Sequence, residues 1–543
     1  MSGTAGDSLD VDRSRHEPGV PEEVEIYDTT LRDGSQLEGI SLTVDDKLRI
    51  AEQLDHLGVH FVEGGWPGSN PKDDEFFRRA VQGGELTLGT STLVAFGSTR
   101  RTKGKVDEDV TLANLAGAGT EAVCIVGKCW DLHVTDTLRT TLDEGVAMVA
   151  DSVAFLAAEG KRVLFDAEHF FDGYRANPEF SLRVLEAAVE QGAETLVLCD
   201  TNGGSLPADV ERTVREITRH FRGDVRIGVH LHDDTGCGVA NALAGVRGGA
   251  TQVQGTMNGY GERTGNCNLT TIIPDLSLKM GVRTLPPGRL ERLTSVAHHV
   301  AELVNVAPHP QAPYVGSSAF AHKAGLHVSA IARRPDAYEH VDPNIVGNGT
   351  RFVVSELAGR STVELKAAEL GLDLDGAALA QVTDDLKVLE HEGFHFEAAD
   401  GSLELLMRRA TGWVQPFFRL ESFRVSVDTN EDQRADTEAV VKLHADGQRI
   451  MAVGEGNGPV NALDAAVRQA IGARYPELHR IHLTDYKVRV LDTAKGTGAV
   501  TRVLIDSTNG DLSWSTIGVS ANIIQASWQA LSDALVYGLL HAV

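Results

Sequence analysis

The sequence predicts an α/β protein: a (β/α)8 barrel, then helical linker subdomains, then a C-terminal α+β domain. Three observations predict it. Eight short apolar runs alternate with longer amphipathic stretches between Val24 and Gly261, and eight strand-then-helix units over about 240 residues match the size of a closed barrel. Polar residues crowd the C-terminal ends of the runs (Asp33, Glu63, Glu168, Asp200, Thr201, His230, His232, Asn258), the end where barrels carry their active sites. After Phe417 the pattern turns to strand alternation. An open doubly wound sheet would want a Gly-rich phosphate turn after its first strand, and Asp28-Thr29-Thr30-Leu31-Arg32-Asp33-Gly34 is not one.

Residues 1–22 are polar and have no apolar core segment, so they read as a disordered tail rather than a secretory signal. The barrel is expected over 23–275. Its strands lie at Glu25–Asp28, His60–Glu63, Thr92–Ala95, Ala122–Val126, Arg162–Asp166, Thr195–Cys199, Arg226–His230 and Gln252–Gly255. Between them, Val44–Leu57, Leu142–Ala158, Ser181–Gln191 and Ala208–His220 carry the three-to-four-residue apolar spacing of helices. Linker subdomains are expected over 276–416. Over 417–543, strands are expected within Ser422–Leu443, Tyr486–Val490 and Ala499–Ile505, a Gly-rich turn at Gly454–Pro459, and helices at Val460–Ile471 and Ile523–Leu540.

Composition narrows the function. The chain has 543 residues, and Lys+Arg 50 minus Asp+Glu 77 leaves −27. So acidic a balance argues against nucleic acid and anionic membrane as partners. No apolar run reaches the roughly 18 residues of a membrane span. Five cysteines at irregular spacing suit a reducing cytoplasm rather than a disulfide framework. Cys124 and Cys129 have no second Cys/His pair at zinc-site spacing.

The sharpest motif is His230-Leu231-His232 at the end of the seventh strand. Side chains two apart on a strand share a face, so both imidazoles can turn into the barrel mouth. Two His and one carboxylate form a divalent-metal set that leaves positions open for substrate. Asp33 supplies the carboxylate most naturally, because strands one and eight close the barrel, with Glu262 and Asn266 close to the eighth strand. Asp233 and Asp234 follow the pair as orienting groups. Mn²⁺, Mg²⁺, Zn²⁺ and Co²⁺ all suit such a set. Arg32, beside Asp33, would offset the charge on a forming enolate or alkoxide.

Asp28 to Gln36, His230 to Gly236 and Gly259 to Asn266 together resemble the 2-isopropylmalate synthase/homocitrate synthase/citramalate synthase family, within the metal-dependent barrels that include 3-hydroxy-3-methylglutaryl-CoA lyase. Ser35 departs from the Glu or Asn common there. The resemblance implies a divalent metal held by Asp33, His230, His232 and Asn266. It implies a catalytic histidine at His327 in Ala321-His322-Lys323-Ala324-Gly325-Leu326-His327, and a tyrosine, Tyr338, supplied by a second subunit, hence a homodimer or larger homo-oligomer. The tail from Phe418, with Gly454 to Leu463, resembles the family's allosteric amino-acid-binding domain.

Glu63 to Asp73 and Phe165 to Tyr174 are most similar to the citramalate synthase branch. That branch condenses acetyl-CoA with pyruvate and water to (R)-citramalate and CoA, on a route to isoleucine. The alternatives are a 2-isopropylmalate synthase using 2-oxoisovalerate, then a homocitrate synthase or a 3-hydroxyacyl-CoA lyase. By resemblance, Arg32 and Thr201 stabilise the alkoxide, Glu168 lines the pyruvate side, and His327 with Tyr338 forms the base arrangement. Isoleucine is implied as feedback ligand. A lyase would usually lack the C-terminal domain, and a sensor with a relict barrel would not need Arg32, Asp33, His230, His232 and His327.

Overall fold

The computed structural model describes residues 10–322, 330–331, 333–352, 360–429, 435–491 and 493–542. They divide into two compact units, Met1–Phe320 with Glu339–Gly349, and Ala321–Tyr338 with Thr350–Val543.

The first unit is a closed parallel barrel with its strands in sequence order: β1 (Glu25–Asp28), β2 (Phe61–Gly65), β3 (Thr92–Ser98), β4 (Ala122–Lys128), β5 (Arg162–Glu168), β6 (Ala193–Asp200), β7 (Arg226–Leu231) and β8 (Gln252–Gly255). β1 closes on β8 with Tyr27 opposite Gln254 and Asp28 opposite Gly255. That seam brings the Arg32-Asp33 loop beside the ends of β7 and β8. Runs such as Ala122–Lys128 are almost continuously apolar because both strand faces are buried. The outward face packs on the helices. The inward face of Tyr27, Phe61, Val94, Phe96, Ala122, Cys124 and Leu164 forms a separate cluster along the axis.

Helix Val44–Leu57 shows how the sequence sets the outer ring. Thr43 and Asp46 form a reciprocal capping box, Leu48, Ile50, Leu54 and Leu57 face the core, and Gly58 ends the helix at φ 96°. A Cβ at Gly58 would also lie 2.8 Å from Pro286 Cδ. Residues 10–22, expected as a disordered tail, pack on the barrel: Asp12 N donates to Ser277 O at 3.0 Å, Arg13 donates to Gly281 O at 3.2 Å, and Glu17 pairs with Arg247 at 2.8 Å.

The second unit contains helices Arg360–Glu369, Gly376–Glu392 and Asp400–Ala410, then two three-stranded antiparallel sheets. One is β9 (Arg419–Thr429), β10 (Ala435–Ala445) and β11 (Gln448–Gly456), backed by helix Pro459–Ile471. The other is β12 (His482–Val490), β13 (Thr501–Thr508) and β14 (Ser513–Ser520), backed by helix Ile523–Leu540. Gly454 and Gly456 lie in β11, not in the expected turn. A Cβ on Gly454 would sit 2.3 Å from Ala466 N, and one on Gly456 2.6 Å from Ala462 N. These glycines therefore permit close approach of strand and helix. Among the described residues, no helix is long and apolar enough to cross a membrane.

Candidate metal centre at the barrel mouth

Asp33, His230 and His232 converge as the sequence predicts, each buried, with one ligand atom apiece lying within 4.8 Å of the others. His230 ends the ladder of β7, opposite Gln254, and His232 follows in a bridge with Asn266. The His-Leu-His alternation puts the two rings side by side, 5.3 Å apart and 28° from parallel. His230 Nε2 lies 3.1 Å from Asp33 Oδ2 and 3.0 Å from Asn266 Oδ1, and His232 Nε2 lies 3.8 Å from Asp33 Oδ2. Adjacent ligands of an octahedral ion with bonds of about 2.1 Å stand about 3.0 Å apart. The spacing and the mixed N/O donor set fit a divalent cation.

Electrostatics among these side chains has clear causes. Burial opposes the charge on Asp33, but Arg32 and the two imidazoles outweigh it and hold the carboxyl far below its usual range. Burial likewise opposes the charge on His230, and the Asp33 hydrogen bond and charge overcome it, lifting the ring to about 9. Burial and then the neighbouring His230 push His232 down to about 4.

Arg32 is aimed by a partner that the sequence reading did not assign. Its Nε donates to Glu63 Oε1 at 2.6 Å, with side-chain exposures of 15% and 0%. Tyr27 Oη donates to Glu63 Oε2 at 2.6 Å. The Arg32 guanidinium also lies 3.8 Å from the Phe96 ring centroid and 3.5 Å from Asp33. Burial raises the Glu63 carboxyl, and Arg32 works against it. The cavity beside Arg32, about 790 Å³, is lined by Gln36, Lys47, Trp66, Asn70 and Lys72 among others.

The remaining expected residues are distributed as follows. Glu168 pairs with Lys128 at the ends of β5 and β4. Thr201 Oγ1 accepts from His169 N at 2.9 Å, and Thr201 O accepts from Arg263 at 2.9 Å. Arg263 is pinned by Asp234 at 2.7 Å and reaches to 3.2 Å from His232 Nδ1, so Asp234 acts through Arg263. Asp233 accepts from Gly238 N at 2.6 Å, at the start of a helix. Glu262 is 56% exposed and 3.8 Å from Arg263, away from the centre. Tyr338 lies in the second unit, 48% exposed. His327 lies outside the described residues.

A closed barrel with one carboxylate and two imidazoles at its mouth is the framework of a metal-dependent barrel enzyme. Family models match three consecutive segments: HMGL-like over 23–300, homocitrate synthase post-HMGL domain-like over 314–393, and LeuA allosteric (dimerisation) domain over 397–539. The (R)-citramalate synthase of Streptomyces coelicolor is 52% identical over 520 residues, 95% of this chain and 97% of that protein. That of Aquifex aeolicus is 49% identical, over 96% of this chain and 98% of that protein. A 2-isopropylmalate synthase of Synechococcus is 31% identical, over 95% of each. The chain belongs to the HMGL-like family and, within it, to the (R)-citramalate synthases.

Proposed function

We propose that this protein condenses acetyl-CoA with pyruvate and water to give (R)-citramalate and CoA, the entry to a pyruvate route to isoleucine. The observation that carries the reading is a metal set with a buried, Glu63-aimed arginine beside it, in a chain that aligns along 95% of its length with an (R)-citramalate synthase at 52% identity. The identity of 31% to a 2-isopropylmalate synthase makes the leucine-branch acceptor the second reading.

Asp33, His230 and His232, with Asn266 beside them, would hold the ion, Mn²⁺ or Mg²⁺ by preference and Zn²⁺ or Co²⁺ as substitutes. A divalent ion there supplies Lewis-acid polarisation of the 2-oxo carbonyl. Arg32 presents the guanidinium nitrogens not engaged by Glu63 to the oxygen that becomes the alkoxide. Thr201 assists at the mouth, and Glu168, neutralised by Lys128, borders the pyruvate side. By resemblance, His327 with Tyr338 takes the proton from the acetyl methyl. The resulting carbanion attacks C2 of pyruvate, the alkoxide takes up a proton, and hydrolysis of the thioester releases CoA and makes the sequence one-way.

The catalytic domain is assigned to 23–275, linker subdomains to 276–416 and a regulatory, dimer-forming domain to 417–543. A homodimer is supported by the LeuA-type match and by exposed apolar residues on edge strand β12, Leu483 at 44%, Val488 at 42% and Val490 at 45%. Isoleucine is the proposed feedback ligand and the cytoplasm the proposed location. The test is product identification: chiral chromatography of reactions with acetyl-CoA and pyruvate. (R)-citramalate that disappears with EDTA and in His232→Ala supports the reading. A lyase-type cleavage of added citramalyl-CoA, without net condensation, overturns it.

A further inference from the structure

Beneath the metal set lies a buried polar relay that the condensation chemistry leaves unused. Gln254 on β8 stands opposite His230 on β7, and its Oε1 lies 2.7 Å from His230 Nδ1. On its other side, Gln254 Nε2 donates to Asp166 Oδ1 at 3.3 Å. The Cys124 thiol is also hydrogen-bonded to Asp166. Gln254 is fully buried, Asp166 is 3% exposed and His230 is 4% exposed, so water does not substitute for these partners.

The donors and acceptors fix the amide orientation and the Nδ1 side of the His230 ring. An ionised carboxylate only accepts, so Asp166 draws the NH2 end of the Gln254 amide towards itself. The carbonyl end then faces His230 Nδ1. A carbonyl oxygen only accepts, so Nδ1 must carry a proton, which leaves Nε2, 3.1 and 3.0 Å from Asp33 Oδ2 and Asn266 Oδ1, as the nitrogen free to give up its proton to an incoming ion. Without an ion, a proton on Nε2 bridges to Asp33, and a divalent ion would take that proton's place among the three atoms.

We propose that Gln254, oriented by Asp166, is a positioning residue for the metal centre, holding His230 in the tautomer that presents Nε2 to a divalent ion. The inference rests on Asp33, His230 and His232 as the ion's ligands. Partners of this kind contribute about 10- to 100-fold to metal affinity. Because the relay runs across the barrel from β4 and β5 to β8, side chains that touch neither ion nor substrate set the strength of the centre.

The test is Mn²⁺ titration of the full-length protein followed by the paramagnetic resonance of free Mn²⁺, with no substrate present. Gln254→Leu, close in volume but without an acceptor, is expected to bind Mn²⁺ about 10- to 100-fold more weakly than wild type. Gln254→Glu restores an acceptor, since one proton shared with Asp166 leaves an oxygen facing Nδ1, and is expected to stay within about threefold of wild type. Circular dichroism and thermal melts establish that both variants fold. Wild-type affinity in a folded Gln254→Leu overturns the proposal, as does an equal loss in Gln254→Glu. Binding by wild type that is unaltered in His230→Ala would instead overturn the metal assignment beneath it.

Discussion

Glu63 is the most demanding residue to perturb, because it does two things at once. Its carboxylate, like Tyr27 fully buried, accepts from Arg32 Nε and Tyr27 Oη, both at 2.6 Å. Glu63→Gln keeps the shape and removes the charge. One amide oxygen can still face Arg32, but the NH2 end must then turn to Tyr27, whose hydroxyl loses its acceptor. Removing one member of a buried ion pair costs about 3–5 kcal/mol. Asp33, 3.5 Å from Arg32, and the retained amide acceptor place this case near about 3 kcal/mol. At about 2–4 °C per kcal/mol for a domain of about 250 residues, the melting midpoint of the barrel falls by about 6–12 °C. An arginine no longer pinned loses its aim at the developing charge, so kcat falls about 10²-fold or more, while KM for acetyl-CoA changes much less. Differential scanning calorimetry reads the first quantity and thiol-detected CoA release the second. A midpoint within about 2 °C of wild type together with kcat within about threefold would refute the role given to Glu63.

Asp28 is fully buried, and burial lifts its carboxyl from 3.8 to about 7. The folded chain therefore holds this proton above the pH at which the unfolded chain releases it, so the associated stability is present below about pH 4 and lost as pH rises through about 7. Asp28→Asn is expected to gain thermal stability relative to wild type between pH 5 and 8, and an unchanged difference across that range would refute the assignment. Phe96 packs between Arg32 and Trp66, 3.8 and 5.5 Å from its ring centre. Phe96→Ala opens the wall beside Arg32 and should raise the kcat/KM ratio of 2-oxoisovalerate to pyruvate about tenfold; an unmoved ratio would place the acceptor elsewhere. On edge strand β12, Val488 shares the face of the buried Val503 yet is 42% exposed. Val488→Glu is expected to convert dimer to monomer in sedimentation equilibrium, and a persisting dimer would move the interface to another surface.

The barrel was legible because each strand is buried on both faces and each helix on one, so the apolar pattern marks the eight strands and four of the helices between them. The convergence of Asp33, His230 and His232 was legible for the same geometric reason: the imidazoles stand two apart on a strand end, and Asp33 lies across the β1–β8 seam. Glu63, Tyr27, Asp166 and Gln254 were not assigned roles. Each lies within a strand, and its partner is set by barrel register and curvature, which no local spacing encodes. In the C-terminal domain, β11 was missed because Gly454 and Gly456 read as a turn when taken alone. The helix packed against them explains their presence, and that contact is not visible along the chain.

Joining of acetyl-CoA to pyruvate at the mouth of this barrel, with a divalent metal, is open to direct assay. The most direct measurement is CoA release from acetyl-CoA with pyruvate, 2-oxobutyrate, 2-oxoisovalerate and 2-oxoglutarate, each with Mn²⁺ and with EDTA. Turnover is expected to be greatest with pyruvate and abolished by EDTA. Turnover greatest with 2-oxoisovalerate would contradict the assigned acceptor, and absence of turnover with all four would contradict the condensing reaction itself.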